Sequence, residues 1–452
     1  MRRAILALVA CLPVLSLPAT AQEADIQALV IEALVGNPHD QQEALDSLVA
    51  RGELDVVPSL VLMMRIGGNH VRVAEALSRL TGTQITSWRD AMLWQEAHPE
   101  VAPHPSYYPL KLNFWRGIDE NFMQFFPNAA EDHDQFRIRF EEVTWGGVRV
   151  DGIPSLDNPR LIPAAEASYL VDDDLVFGVE INGDARAYPL RIMGWHEMFN
   201  EVIGGVPVAL AYCTLCGAGI LFETEVEGRE APFVFGSSGF LYRSNKLMFD
   251  RQTNSLWNQF TGEPVIGPLA QSGIRLKIRP VAITSWADWR DRHPETRVLS
   301  LETGHFRDYG SGVVYRDYFA SPDLMFPTLV RDESQVKRKD FVFGIRQPGG
   351  AKAWPVAAFG DTPVINDQVG LANIVLIGNA ETRTVRAYQR GEREFAPGAT
   401  ADTLAGPGGV WQVGEEALTG PGGIRLARIP GHVAYWFAWD GYLGVESALY
   451  PG

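Results

Sequence analysis

Val176-Phe177-Gly178-Val179-Glu180-Ile181 runs into Asn182-Gly183 and turns back as Ala185-Arg186-Ala187-Tyr188-Pro189-Leu190. Asn-Gly between two extended segments predicts a tight hairpin, because both residues tolerate the positive φ that such a turn demands. The pattern returns 166 residues later as Val342-Phe343-Gly344-Ile345, Gly349-Gly350 and Ala353-Trp354-Pro355-Val356. Further on, Gly273-Ile274-Arg275-Leu276 is echoed by Gly423-Ile424-Arg425-Leu426, and Trp286-Ala287-Asp288-Trp289 by Trp436-Phe437-Ala438-Trp439, both at an offset of 150. Three ordered matches with one net deletion predict a tandem duplication, with β-rich repeat A at residues 176–300, a linker at 301–340 and β-rich repeat B at 341–452. Two pseudo-equivalent halves packed together are expected, since either alone leaves an apolar face or a sheet edge uncovered.

Upstream the periodicity changes. Residues 22–105 read as short amphipathic helices: Ile26, Leu29, Val30, Ala33 and Leu34 recur at helical spacing, and similar sets follow up to Trp88, Ala91, Met92 and Gln95. Gly36-Asn37-Pro38, Gly52 and Gly67-Gly68 punctuate them. The arrangement resembles a small HEAT-like stack, whose expected role is structural or to face a protein partner. Residues 106–175 form a connector and lead-in segment. The expected class is α+β, an all-helical front followed by the duplicated β-rich body.

Residues 1–21 read as an export leader: basic Met1-Arg2-Arg3, an apolar run from Ala4 to Leu17, and Ala19-Thr20-Ala21 before Gln22. Leu8-Val9-Ala10-Cys11 also fits a lipoprotein box, which would tether the chain by lipid, but soluble export to the periplasm or the extracellular space is the main expectation. The formal charge is -16. Loss of Arg2 and Arg3 makes it two units more negative, which argues against nucleic acid as a partner. No later stretch approaches the roughly 18 apolar residues of a transmembrane helix.

Of three cysteines, Cys11 lies in the leader, so the mature chain keeps one pair, in Tyr212-Cys213-Thr214-Leu215-Cys216-Gly217. Cys-x-x-Cys spacing suits a short disulfide loop, a redox dithiol, or two ligands of one metal. Repeat B has no cysteine, and Thr362 stands opposite His196 at the 166-residue offset. What repeat A has and repeat B lacks is therefore enriched for function. His196 with Cys213 and Cys216 makes a soft-to-borderline donor set for copper or zinc, and Glu197 is a candidate proton carrier or imidazole orienter. Arg251, Arg307 and Tyr309 are candidates for a cationic, hydrogen-bonding wall that binds a cofactor or substrate. Two other readings stand beside a metal protein: a dithiol-disulfide oxidoreductase, and a non-enzymatic scaffold with a structural disulfide. A serine hydrolase is disfavoured, because no Gly-x-Ser-x-Gly elbow is present.

One family carries the whole ordered set. Trp145-Gly146-Gly147-Val148, Asp151-Gly152-Ile153-Pro154, Ala187-Tyr188-Pro189-Leu190, Trp195-His196-Glu197, the cysteine motif, Leu241-Tyr242, Phe249-Asp250-Arg251, Leu256-Trp257 and Trp286-Ala287-Asp288-Trp289 follow one another along the chain. Over about residues 140–450 they resemble the secreted prokaryotic family catalogued as domain of unknown function 3179. The resemblance implies export and a repeated core, and supplies no reaction, cofactor or catalytic residue.

Overall fold

The computed structural model describes residues 19–67, 69–127 and 133–451. The leader expected over 1–21 lies almost wholly outside them, as does the lipoprotein box. The chain is an α+β protein that divides into two compact units, Met1–Lys111 and Leu112–Gly452.

The first unit holds helices α1 (Ala19–Val35), α2 (Pro38–Arg51), α3 (Val57–Ile66), α4 (His70–Thr81) and α5 (Trp88–Ala97). Local chemistry sets their ends. The Asn37 side chain accepts the amides of His39 and Asp40 at the start of α2, and Gly52 closes it at φ 74°. Ser87 and Asp90 form a reciprocal capping box on α5. Leu45, Leu48, Leu60 and Leu77 pack into this unit's own core.

After α6 (Tyr107–Ile118) the second unit opens with short strands β1 (Val143–Trp145), β2 (Leu156–Asp157) and β3 (Leu161–Pro163). Its first half runs β4 (Leu175–Ile181), β5 (Asp184–Pro189), α7 (Leu190–His196), β6 (Met198–Ile203), β7 (Val206–Cys213) and β8 (Ala218–Glu223). Then come β9 (Phe235–Tyr242), β10 (Asn245–Asp250), β11 (Leu256–Asn258) and β12 (Glu263–Ile266). The half closes with β13 (Ile278–Arg279), β14 (Ala282–Ser285), α8 (Trp286–Arg292) and β15 (Arg297–Leu299), and α9 (Arg316–Ala320) lies in the segment that follows. The second half runs β16 (Phe341–Gln347), β17 (Gly350–Pro355), α10 (Ala358–Asp361), β18 (Val364–Val369), β19 (Ala372–Asn379) and β20 (Thr384–Gln389). It continues through β21 (Ala396–Pro397), β22 (Thr403–Gly406), β23 (Gly409–Val413), β24 (Ala417–Thr419), β25 (Arg425–Ile429), β26 (His432–Tyr435), α11 (Trp436–Leu443) and β27 (Ser447–Leu449).

The hairpin that opens the body forms as its residues dictate: β4 pairs antiparallel with β5, and Asn182 and Gly183 take φ 52° and 81° at the turn. One sheet has the order β14-β4-β5-β15-β3 and another β26-β16-β17-β27. In each, the first two pairings are antiparallel and the next is parallel. A second pair of sheets contains β13-β8-β7-β6 and β25-β20-β19-β18 in matching sequence. Strands β9–β12 and β1 form a sheet of their own, whereas β21–β24 extend the sheet that contains β18–β20. Buried side chains from both halves, including Phe177, Tyr188, Leu210, Phe343, Trp354 and Leu376, share one apolar core.

Candidate functional site

The β7–β8 hairpin carries the cysteines. Cys213 pairs with Ala218 across the ladder, and the four-residue connection closes through the Cys216 amide to the Cys213 carbonyl, 3.2 Å, and the Gly217 amide to the Thr214 carbonyl, 3.3 Å. Gly217 has φ 60°, and a Cβ there would lie 2.8 Å from the Phe341 ring. Strand β26 covers the turn, with the Tyr435 amide donating to the Cys216 carbonyl at 2.7 Å. The Tyr318 hydroxyl donates to the Leu215 carbonyl at 2.6 Å. Both thiols are consequently buried.

Cys213 and Cys216 are free thiols with their sulfurs 2.6 Å apart. The expected disulfide is therefore corrected: the cysteines staple no loop. The sulfurs form a short hydrogen-bonded chain, Cys213 Sγ donating to Cys216 Sγ and Cys216 Sγ to the Ser244 carbonyl at 3.5 Å. Burial pushes the Cys216 thiol well above its usual range, and the neighbouring Cys213 and the Glu197 charge push the same way.

His196 and Glu197 face opposite environments. Glu197 ends α7 in a left-handed conformation, φ 56°, and its amide donates to the Met193 carbonyl at 2.7 Å. Its carboxylate accepts from the Thr214 hydroxyl at 2.7 Å and from Tyr315 at 3.4 Å, and pairs with Lys246 at 3.2 Å. It thus borders the thiol turn through Thr214. The His196 ring lies elsewhere: Nδ1 donates to the Pro154 carbonyl at 2.9 Å, and Nε2 meets the Tyr309 hydroxyl at 2.6 Å. Tyr309 in turn takes a hydrogen bond from Thr303, 2.6 Å. Burial drops the imidazole to about 4, and the His305 and Arg307 charges add to that, so the ring is neutral at neutral pH. Both ring nitrogens are occupied, and His196, Cys213 and Cys216 do not gather as a three-ligand set. The physical reason is the αL residue that follows His196: it turns the Glu197 side chain toward the thiols and leaves the imidazole on the other side.

The three wall candidates hold different partners. Arg251 grips Asp151 through two bonds of 2.8 and 3.0 Å and donates to the Ser155 hydroxyl at 3.1 Å. Its carboxylate partner is Asp151 and not the adjacent Asp250, which accepts from Thr253 and Trp257. Arg307 is exposed and lines a cavity of about 480 Å³ with Trp195, Val314 and Tyr315. Tyr309 serves His196.

Sequence reading missed four groups near the thiols: Lys246, Tyr315, Tyr318 and Arg383. Only Arg383 left a signal, because it stands 166 residues after Gly217 at the matching turn. A second cavity, about 430 Å³, opens beside Gly217 and is lined by Tyr212, Phe341, Arg383, Tyr435 and Arg191 among others. In the helical unit, His39, Asp40 and Glu43 each offer one ligand atom, all within 4.8 Å of one another, a metal-capable cluster on the surface of α2. Among the described residues no helix is long and apolar enough to cross a membrane.

No curated protein and no solved structure matches the chain. A family model described as protein of unknown function (DUF3179) matches residues 150–445, which takes in the hairpin, the thiol turn, His196, Glu197 and both closing tryptophan segments. The chain belongs to the DUF3179 family.

Proposed function

We propose that the protein binds one soft metal ion, monovalent copper, between the sulfurs of Cys213 and Cys216. The observation that carries this reading is a pair of buried, reduced thiols in contact, with no third histidine, cysteine or carboxylate ligand converging on both among the described residues. Two thiolates are soft donors that select the cuprous ion, whereas zinc takes four ligands and finds only two here. Zinc therefore does not fit, and His196 is dropped from the ligand set. Glu197, linked to the turn by Thr214, is the group placed to hold a proton displaced from the thiols. Metal uptake must expel the proton that burial holds on the Cys216 thiol, so affinity rises with pH.

Exchange with protein disulfides is the less favoured reading. It needs an accessible thiolate, and both sulfurs are buried with Cys216 pushed toward its protonated form. We further take the protein to act after export, on the leader-like residues 1–21, and its body to derive from a duplicated unit. Matching strand order and orientation in the two pairs of sheets support the duplication.

Metal analysis after anaerobic loading with cuprous ion tests the site. About one equivalent is expected, lost in Cys213→Ser or Cys216→Ser and retained in His196→Gln. Less than about 0.2 equivalents, or binding indifferent to both serine variants, overturns it. A reversible dithiol couple in metal-free protein, with no copper bound, transfers the assignment to thiol exchange.

A further inference from the structure

The cavity beside Gly217 holds a cation without a counterion. The Arg383 side chain makes no hydrogen bond or ion pair among the described residues, and its guanidinium carbon lies 4.5 Å from the centre of the Phe341 ring. It is half-buried in that wall. An arginine is always charged at physiological pH, and a half-buried guanidinium with no protein acceptor is open to a ligand that supplies one. The other charges at the cavity are already committed or at its edge. Arg191 is engaged by Asp174 and the Tyr169 carbonyl, Asp174 also accepts from Ser311, and Asp173 is exposed at the rim. Only the Arg191 Nε remains buried without a partner.

Arg383 also occupies an unusual backbone position. It has φ 56° at the turn between β19 and β20, where Gly217 has φ 60° at the turn between β7 and β8. Glycine occupies this region freely, and asparagine and aspartate are the side chains otherwise most often found there. Keeping an arginine at this position directs its side chain at the cavity shared with Gly217.

We propose that this cavity binds a small organic monocarboxylate, with Arg383 gripping the carboxylate and Tyr212, Leu190, Phe341 and Tyr435 enclosing an apolar body. Its volume, about 430 Å³, falls in the range of small-molecule sites, roughly 300–1,000 Å³. A planar guanidinium matches a carboxylate bidentately. One uncompensated cation beside Asp173 and Asp174 favours a single negative charge over the double charge of a phosphate. Aromatic and aliphatic walls favour an apolar remainder. Burial holds the Arg383 guanidinium below its ordinary value, and a bound carboxylate would restore it. The site is independent of metal at the thiols, although Gly217 places it against the same turn.

Calorimetric titration of the full-length, reduced, metal-free protein with acetate, hexanoate, benzoate and phenylacetate tests the proposal. At least one binds one-to-one with Kd below about 1 mM, and its neutral amide binds about tenfold more weakly. Arg383→Gln weakens the acid by about tenfold and leaves the amide unchanged. The acid–amide comparison on the natural chain stands even if the variant folds poorly. Failure of all four acids to bind overturns the proposal. So does equal affinity for acid and amide, unchanged binding by Arg383→Gln, or tighter binding of inorganic phosphate than of every carboxylate.

Discussion

Lys246 Nζ lies 3.2 Å from Glu197 Oε2, and both side chains are less than one-tenth exposed. The pair joins the start of the β10 strand to the end of α7, 49 residues apart, and Glu197 is further held by Thr214. Such a pair adds little over an apolar replacement of both partners, but leaving one charge alone is costly.

Lys246→Met should therefore destabilise the protein by about 3–5 kcal/mol in urea unfolding, because the buried Glu197 carboxylate loses its lysine partner. Adding Glu197→Gln to that variant should recover part of the loss. Strict additivity of the two single changes would contradict the coupling.

His196 makes stability depend on pH. Its folded value of about 4 lies below the ordinary value near 6.5, so between these the unfolded chain binds more protons. Stability from this group is complete above about pH 6.5 and declines as pH falls toward 4, by on the order of 2 kcal/mol. The difference in unfolding free energy between the natural chain and His196→Gln should narrow over that window and stay flat from pH 7 to 8. A constant difference from pH 4 to 8 would refute the assignment.

Thiol reactivity reports the burial of the turn. In native protein at pH 8, Cys213 and Cys216 should react with an aromatic disulfide reagent at least about tenfold more slowly than in denaturant. Gly217→Ala, which forces a Cβ to within 2.8 Å of Phe341, should speed the native reaction. Complete reaction of the native thiols within the mixing time is the outcome that contradicts this.

The two closing tryptophans give a matched pair of changes. A Cβ on Gly178 would lie 2.2 Å from Trp289 and one on Gly344 1.9 Å from Trp439. Gly178→Ala and Gly344→Ala should each cost about 1–3 kcal/mol by overpacking, seen as lowered thermal midpoints. A midpoint that stays put in either variant would mean that the tryptophan can withdraw from its strand.

Short-range chemistry was legible in the sequence and long-range pairing was not. Asn182-Gly183 announced its hairpin, and Gly36-Asn37-Pro38 and Gly52 announced helix ends. His196 was joined to the thiols because both lie in repeat A, yet a single left-handed residue at Glu197 reverses the side-chain direction there, and no sequence pattern announces positive φ at a glutamate. Arg251 was read as part of a binding wall, and its ion-pair partner Asp151 stands 100 positions away. Lys246 carried no signal in the sequence, because its partner Glu197 stands 49 residues away and only the fold brings them together.

The hydrogen bond from the Tyr435 amide to the Cys216 carbonyl sets an order of events on the growing chain. A ribosome releases the thiol turn well before it has made β26, the strand that covers it. Until β26 emerges, Cys213 and Cys216 lack their roof and meet whatever oxidants or ions surround the nascent protein. Synthesis thus grants the two sulfurs a window of exposure that the finished fold withdraws, and loading or damage at this site is easiest before the protein is complete.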